Sequence, residues 1–281
     1  MKVINYIEEI REVVREWKKQ GLTIGFVPTM GYLHEGHESL IKNSVKENDK
    51  TIVSIFVNPT QFGPNEDLEK YPRDLESDKN LCNKNNVDII FNPSSNEMYN
   101  DDFSTYINMD GLTKELCGKS RPTHFSGVCT VVAKLFNIVK ADRAYFGEKD
   151  AQQLAIIKRL VRDLNIDIEI IGCPIIREED GLAKSSRNSY LSEEERIAAR
   201  VLNKSLIKAK ASLSNGERNS NCIKEIIKEV IYNENLAKID YVEVVDALNL
   251  EKVDIISSDV LVAIAVYVGK TRLIDNFTYK I

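Results

Sequence analysis

The feature that most constrains this fold is an alternation of strand-like apolar runs and helical patterns between Thr23 and Ile171. The predicted strands cover residues 23–27, 51–57, 87–91, 143–146 and 166–171. The run at residues 51–57 is apolar almost throughout, as expected when helices cover both faces of a sheet. Because a helical pattern separates each run from the next, the sequence predicts an α/β fold with a parallel sheet.

The segment before this alternation reads as one amphipathic helix. Its apolar residues recur at helical spacing, and Gly21 ends the pattern. These residues are Val3, Ile4, Ile7, Ile10, Val14 and Trp17. We therefore predict that the first element of the chain is a helix that includes Val3 and Ile4.

The sequence changes character after Pro174. Ser192 and Glu195 form a capping-box pattern for one long helix through Leu206, and a second helix is predicted at residues 223–232. Strand-like runs follow at residues 239–245 and 260–268, and we expect residues 270–276 to end them. A chain of 281 residues is long enough for two domains. We predict a domain at residues 1–175 and a smaller α+β domain at residues 176–281, with residues 177–188 at their junction.

Composition excludes several classes of protein. The net charge of -5 argues against a surface that coats nucleic acid. Five scattered cysteines with no C-x-x-C pair indicate neither a zinc site nor a disulfide framework, and reduced thiols are typical of the cytoplasm. The chain start has no secretory pattern, and the longest apolar run, residues 260–268, is too short to span a bilayer. We predict a cytoplasmic protein with no nucleic-acid or membrane partner.

A glycine-bearing turn with two histidines follows the first predicted strand. It contains Gly31, His34, Gly36 and His37, and a helical pattern begins directly after it. A helix N-terminus favours negative charge and is therefore a common phosphate site. Two imidazoles three residues apart at such a helix start can both reach one polyphosphate. The same spacing also fits a metal site or two surface histidines. Two of the three histidines of the chain lie here, which favours a functional role.

Three further polar segments, 58–64, 147–153 and 184–188, lie after predicted strands or at the predicted domain junction. They supply Lys149, Ser185, Ser186 and Arg187, which are donors suited to a nucleoside triphosphate. Taken singly, Lys149 and Arg187 are equally well explained as solvated charges, and the serines as a turn. Gly118-Lys119-Ser120 resembles the end of a P-loop but lacks the preceding glycine and strand.

Taken in order, these motifs resemble the pantoate–β-alanine ligase family over nearly the whole chain. The matching segments are Pro28-Thr29-Met30-Gly31, His34-Glu35-Gly36-His37, Phe56 to Gly63, Tyr71-Pro72-Arg73, Arg121 to Phe125 with Gly127-Val128, Gly147-Glu148-Lys149-Asp150 with Gln152-Gln153, Asp180 to Ala183, and Ser185-Ser186-Arg187-Asn188. One departure is Lys184, where the family usually has Met or Leu.

The resemblance implies a Rossmann-like domain with a smaller C-terminal α+β domain. It implies that ATP adenylates the carboxylate of pantoate, and that β-alanine attacks the acyl adenylate to give pantothenate and AMP. Mg²⁺ would be held mainly by the phosphates of ATP, with no dedicated protein ligands. The family is typically a homodimer.

The resemblance also implies roles for single residues. His34, His37, Lys149 and Arg187 would act on the phosphates, with His37 as proton donor. Gln61 and Gln153 would bind the substrates pantoate and β-alanine, and Arg121 and His124 would belong to a mobile flap. The residues implied in ATP binding are Met30, Gly31, Tyr32, Leu33, His34, Glu35, Gly36, His37, Gly147, Glu148, Lys149, Asp150, Ile176, Lys184, Ser185, Ser186 and Arg187.

Two alternatives stay open at the level of sequence. Another H-x-G-H nucleotidyltransferase would share the histidine pair but would form a nucleotide-linked product. A nucleotide-binding module without catalysis would keep the glycines but would need neither the two histidines nor Lys149 and Arg187.

Overall fold

A parallel sheet organises the first part of the chain in a computed structural model that describes residues 1–64 and 66–281. Its strands are β1 Lys2–Ile4, β2 Ile24–Thr29, β3 Lys50–Ile55, β4 Ile89–Phe91, β5 Arg143–Gly147 and β6 Glu169–Cys173. The strand order is β1-β4-β3-β2-β5-β6, and every neighbouring pair is parallel. The predicted α/β fold with a parallel sheet is therefore confirmed.

Helices connect these strands, as the alternation of patterns predicts. They are α1 Ile7–Lys19, α2 Glu35–Glu47, α3 Leu75–Lys84, α4 Ser95–Met98, α5 Leu116–Ser120, α6 His124–Val139 and α7 Ala151–Asp163. One core cluster joins Val27, Val53 and Tyr145 on the strands to Leu40 and Ile41 on α2. The sheet is held by this burial of apolar side chains on its faces.

The prediction of a helix that includes Val3 and Ile4 is wrong. Lys2–Ile4 is the edge strand β1, which pairs with β4, and α1 begins only at Ile7. Three residues are too few to show strand alternation, so the local pattern fits either structure. The open edge of β4 decides the outcome, because the amide of Asn92 donates to the carbonyl of Ile4 at 2.8 Å.

The C-terminal part contains an antiparallel sheet of β7 Ala237–Asp246, β8 Val260–Val268 and β9 Thr271–Tyr279. The expectation that residues 270–276 end the strands is wrong, because β9 pairs along the whole of β8. Two buried polar residues in β9, Asp275 and Asn276, interrupt its apolar alternation and hide the strand from pattern reading.

Three helices accompany this sheet: α8 Glu193–Ala198, α9 Val201–Ser214 and α10 Ser220–Tyr232. The capping box of Ser192 and Glu195 is confirmed. The single long helix predicted after it is wrong, because the chain turns between α8 and α9. Arg196 on α8 and Arg200 in the turn both bind the carboxylate of Asp180, at 2.7 and 3.0 Å.

The chain divides into two compact units. The first unit is Met1–Asp110, Arg121–Glu148 and Gln153–Pro174, and the second is Gly111–Ser120, Lys149–Gln152 and Ile175–Ile281. Two short segments, Gly111–Ser120 and Lys149–Gln152, thus group with the C-terminal part. The division into functional domains between residues 175 and 176 stays a prediction. Among the described residues, no helix has the length and apolar character needed to cross a membrane.

Candidate functional site

The sheet of the first unit has a point where its strand order reverses. From β2 the chain proceeds to β3 and β4 on one side, whereas β5 and β6 lie on the other. Ligands of open α/β sheets bind at the carboxyl ends of strands beside such a point. Here β2 pairs with β5 only at Gly25 and Phe26, although it pairs with β3 as far as Thr29.

Pro28 gives a physical reason for this early end of the β2–β5 ladder. The carbonyl of Ile24 accepts from Asp142 beside β5, and that of Thr29 accepts from Phe56 beyond β3. Even-numbered residues of β2 therefore direct their backbone groups toward β5. The next one after Phe26 is Pro28, which has no N–H to donate. The sequence itself thus keeps the carboxyl ends of the two strands unpaired.

His34 and His37 lie beyond this strand end, at the start of α2. The Nδ1 atom of His34 accepts from the amide of Gly36 at 3.1 Å, and Nδ1 of His37 accepts from the amide of His34 at 3.3 Å. The two side chains therefore cap the helix reciprocally, and their ring centroids are 4.1 Å apart. An Nδ1 that accepts a hydrogen bond belongs to the tautomer with its proton on Nε2. The geometry thus assigns both rings as neutral Nε2–H donors.

A buried carboxylate holds the loop that precedes the histidines. Asp78 on α3 is 2% exposed, and its two oxygens accept from the amides of Tyr32 at 3.0 Å and Leu33 at 2.6 Å. Burial raises the pKa of Asp78, whereas these two hydrogen bonds act in the opposite direction. Gly31 and Tyr32 both have left-handed backbone conformations, with φ of 81° and 52°. Asp78 therefore stabilises a turn of unusual backbone geometry.

Several amide groups of this loop are already engaged within the chain. The engaged N–H groups belong to Gly31, Tyr32, Leu33, His34 and Gly36. A phosphate-binding loop usually offers such N–H groups to its ligand. We therefore expect the imidazole side chains of this loop, rather than its amides, to contact an anion.

The segment after β3 places Gln61 against a fully buried asparagine. Asn58 is the N-cap of the 3₁₀ helix Pro59–Gln61, and its Nδ2 atom donates to Oε1 of Gln61 at 3.1 Å and to the carbonyl of Gly127 at 3.2 Å. A side chain at Gly127 would meet the carbonyl of Thr60 at 2.2 Å, so only glycine allows this approach. Asn58 was not singled out from the sequence, although an Asn-Pro pair signals a turn.

The predicted flap residues also contact Gln61. Arg121 makes a two-pronged ion pair with Glu66 and donates to the carbonyl of Gln61 at 3.3 Å. Nδ1 of His124 lies 2.9 Å from the same carbonyl. Burial disfavours the charged form of Glu66, but the hydrogen bonds and charge of Arg121 outweigh this effect and the pKa of Glu66 is lowered. Flap motion stays a prediction.

Other predicted residues of the first unit lie at the ends of β2 and β5. Met30 follows β2, Gly147 ends β5, and Glu148 begins the 3₁₀ helix Glu148–Asp150. Gln153 lies in the first turn of α7 and is half-buried. These positions match the carboxyl edge of the sheet, and the ligand roles of these residues stay predictions.

In the second unit, Lys149 is fixed through its backbone. Its carbonyl accepts from Nδ2 of Asn276 at 2.8 Å, and its ammonium lies 3.7 Å from Asp150. Gln152, 6% exposed, binds three backbone groups of residues 112–118. Its sequence neighbour Gln153 was expected to bind substrate, and pattern reading gave no sign that Gln152 is the structural member of the pair.

The segment of residues 176–188 folds back on itself. The amide of Lys184 donates to the carbonyl of Ile176 at 2.9 Å, and Gly181 makes the turn with φ of 92°. Arg177 binds both oxygens of the buried Asp275, at 2.7 and 2.9 Å. The hydroxyl of Ser185 then caps the 3₁₀ helix Ser186–Tyr190, in which Ser186 and Arg187 are neighbours.

Lys184, the departure from the family pattern, has an acidic neighbour. Its ammonium lies 3.9 Å from Glu178, whose carboxylate also accepts from Arg196 at 2.9 Å and from Asn188 at 3.0 Å. The charge of Lys184 is thus partly balanced within the second unit, so we expect only a weak effect on a bound polyphosphate.

The structure brings some predicted residues together within each unit. His34 joins His37, and Gln61 joins Arg121 and His124, in the first unit. Ser185, Ser186 and Arg187 share one turn in the second. The binding of one nucleotide by residues of both units stays a prediction.

The role of Asp78 gives a first test. Asp78→Asn replaces one acceptor oxygen by an NH₂ group that faces an amide donor, so we expect the free energy of unfolding to fall by about 1–3 kcal/mol. Asp74→Asn on the same helix is the matched control, because Asn also caps helices and Asp74 is exposed. Urea unfolding measures both variants. Equal stability of the two would contradict the role of Asp78 in the loop.

Comparison with known proteins agrees with this arrangement. The family model described as Pantoate-beta-alanine ligase matches residues 2–278. Pantothenate synthetases of Enterococcus faecalis and Clostridium novyi are 67% and 64% identical to the chain, over 100% and 99% of it and 100% and 98% of their own lengths. The solved pantothenate synthetase of Thermus thermophilus is 42% identical, with a TM-score of 0.94 and 99% of each chain covered. The pantoate-beta-alanine ligase of Francisella tularensis, complexed with beta-gamma ATP and beta-alanine, is 39% identical, with a TM-score of 0.80 and 99% and 97% of the two chains covered. The chain belongs to the pantoate-beta-alanine ligase family.

Proposed function

We propose that this chain joins pantoate to β-alanine in two ATP-dependent steps through a pantoyl adenylate. The family membership over residues 2–278 supports the overall ligation. The observation that carries the chemistry is the reciprocally capped pair His34 and His37, which offers two neutral donors beyond the carboxyl end of β2.

In the first step, a carboxylate oxygen of pantoate attacks the α-phosphorus of ATP. The bond from this phosphorus to the bridging oxygen breaks, and pyrophosphate leaves with the electron pair. Negative charge builds on the leaving group, so donors that are already in position lower the barrier. We assign this role to the Nε2–H groups of His34 and His37 as hydrogen-bond donors; transfer of a proton by His37, the role that the resemblance implies, would require its imidazolium form.

In the second step, the amine nitrogen of β-alanine attacks the acyl carbon of the adenylate. The carbon–oxygen bond to AMP breaks, the amine loses a proton, and an amide remains. Adenylation is needed because a free carboxylate is a poor electrophile. The protein contributes mainly by positioning the reactants and by neutralising charge.

The remaining residues divide by the part of the substrates that they would bind. Lys149, Ser185, Ser186 and Arg187 would bind phosphates. Gly147 and Asp150 would hold the ribose, Met30 and Ile176 would line the nucleotide pocket, and Gln61 and Gln153 would bind pantoate. Tyr32, Leu33, Glu35, Glu148 and Lys184 complete the proposed nucleotide contacts.

A magnesium ion would depend mainly on the nucleotide for its ligands. Within residues 1–64 and 66–281, no cluster of three or more His, Cys, Asp or Glu side chains is placed to hold a metal ion. The described side chains therefore do not fit a dedicated metal site, and we derive no step from the ion. A Mg²⁺ held by ATP phosphates and water fits its preference for few protein ligands. A homodimer and a cytoplasmic location stay predictions.

The experiment that tests the function is ATP–pyrophosphate exchange with Mg²⁺ and pantoate, in the absence of β-alanine. We expect exchange only when pantoate is present, because the adenylate forms reversibly before the amine is needed. Exchange without pantoate, or none with pantoate in folded protein that binds ATP, would contradict the adenylate step. A nucleotide-linked product would instead indicate another H-x-G-H nucleotidyltransferase.

A pair of substitutions separates the two roles of His37. His37→Asn keeps an acceptor for the amide of His34 but lacks an Nε2–H, so we expect kcat to fall by roughly 10²–10³ with little loss of stability. His37→Gln can place an amide N–H near the position of Nε2, so it should retain more activity. Steady-state kinetics and thermal unfolding measure both. An unchanged kcat in His37→Asn would remove His37 from the chemistry.

Gln61→Ala tests the proposed binding of pantoate by Gln61. Loss of an amide donor should raise the KM for pantoate by roughly tenfold, the scale of one hydrogen bond to a charged group, and change that for ATP little. Gln20→Ala, an exposed glutamine at the end of α1, is the control. A parallel rise of both KM values would show that the pantoate assignment of Gln61 is wrong.

A further inference from the structure

A tyrosine outside the family motifs contacts the polar cluster of Asn58 and Gln61. The hydroxyl of Tyr99 donates to Oδ1 of Asn58 at 2.8 Å, and Thr60 donates to the same oxygen at 3.0 Å. Tyr99 directly follows α4, far from Asn58 in sequence, so only the fold brings these groups together. Burial raises the pKa of Tyr99, which keeps its hydroxyl protonated as a donor.

These contacts determine the orientation of the side-chain amides of Asn58 and Gln61. Oδ1 of Asn58 faces the hydroxyl donors of Tyr99 and Thr60, whereas its Nδ2 faces two acceptors, the carbonyl of Gly127 and Oε1 of Gln61. A rotated Asn58 amide would place its oxygen against the carbonyl of Gly127 and its NH₂ group against the backbone amide of Thr60, which donates to Oδ1 at 3.4 Å. Since Oε1 of Gln61 accepts from Asn58, the Nε2 end of Gln61 is the donor end.

We propose that Tyr99 is a positioning residue for the acid substrate, which acts through Asn58 to keep Nε2 of Gln61 as the end offered to an oxygen of pantoate. This inference rests on the proposed function, because it needs Gln61 to bind the acid. A carboxylate accepts hydrogen bonds and cannot donate them, so an inverted Gln61 would place its oxygen against the substrate.

The packing around Tyr99 explains why its hydroxyl is held in place. The ring lies edge-on to Phe103 at 4.8 Å between centroids, and the ammonium of Lys134 lies 5.5 Å from its centroid. These contacts involve the ring and not the hydroxyl, so Tyr99→Phe preserves them. The substitution therefore removes the hydrogen bond to Asn58 and a 3.4 Å contact with the hydroxyl of Thr60, and it keeps the packing of the ring.

The test compares Tyr99→Phe with Tyr106→Phe in the exchange assay. Tyr106 is the matched control because it stacks edge-on against the same Phe103, at 5.4 Å, but is 53% exposed. We expect Tyr99→Phe to raise the KM for pantoate about fivefold to tenfold, the scale of one neutral hydrogen bond, with the KM for ATP within about twofold. Tyr106→Phe should match the wild type. A wild-type KM for pantoate in Tyr99→Phe would overturn the inference.

A double-mutant cycle separates positioning from a general structural role. In a Gln61→Ala background, Tyr99→Phe should change the KM for pantoate less than about twofold, because the residue through which it acts is gone. Effects that multiply in the double variant would overturn the inference. If Tyr99→Phe lowers the unfolding temperature strongly, the test uses Thr60→Val, which removes the other hydroxyl donor to Oδ1 of Asn58. This variant must also raise the KM for pantoate and leave the KM for ATP within about twofold. Wild-type protein without pantoate-dependent exchange would instead refute the proposed function.

Discussion

The early end of the ladder between β2 and β5 is the constraint on which the candidate site of the first unit depends. Pairing stops at Phe26 and Ala144, and the next backbone group that could continue it belongs to Pro28. A parallel sheet normally gains from each added hydrogen bond, so a proline inside a central strand is costly unless the neighbouring strand ends there as well. In this chain the proline lies at the strand-order reversal, where α/β folds place their ligands.

Buried polar groups near the strand ends then fix the loop and the side chains that we propose to bind the substrates. Asp78 holds the loop before the histidines, and each histidine caps the helix through the other, which leaves Nε2 as the protonated nitrogen. Asn58 does the same for Gln61 by occupying its carbonyl end. For both histidines and for Gln61, a hydrogen bond within the chain decides which atom would be presented to the proposed ligand, so these donors would need no reorganisation during the proposed reaction.

Local patterns predicted the elements whose signals are long and regular. The strands of the parallel sheet after β1, the capping box of Ser192 and the strand β8 follow directly from apolar runs and turn chemistry. The failures have physical causes. β1 is too short to carry a period, β9 contains buried Asp275 and Asn276, and the turn between α8 and α9 is stabilised by Asp180 from a distant segment.

The sequence by itself determined the α/β class and the ordered motifs of the family, because these depend on residues close together in the chain. Only the tertiary structure decided which carboxylate holds the loop before the histidines and which end of Gln61 donates. Those properties depend on Asp78, Asn58 and Tyr99, whose partners lie tens of residues away in some cases and are chosen by packing. Hydrogen-bond direction is a property of pairs of groups in space, and a one-dimensional pattern does not contain it.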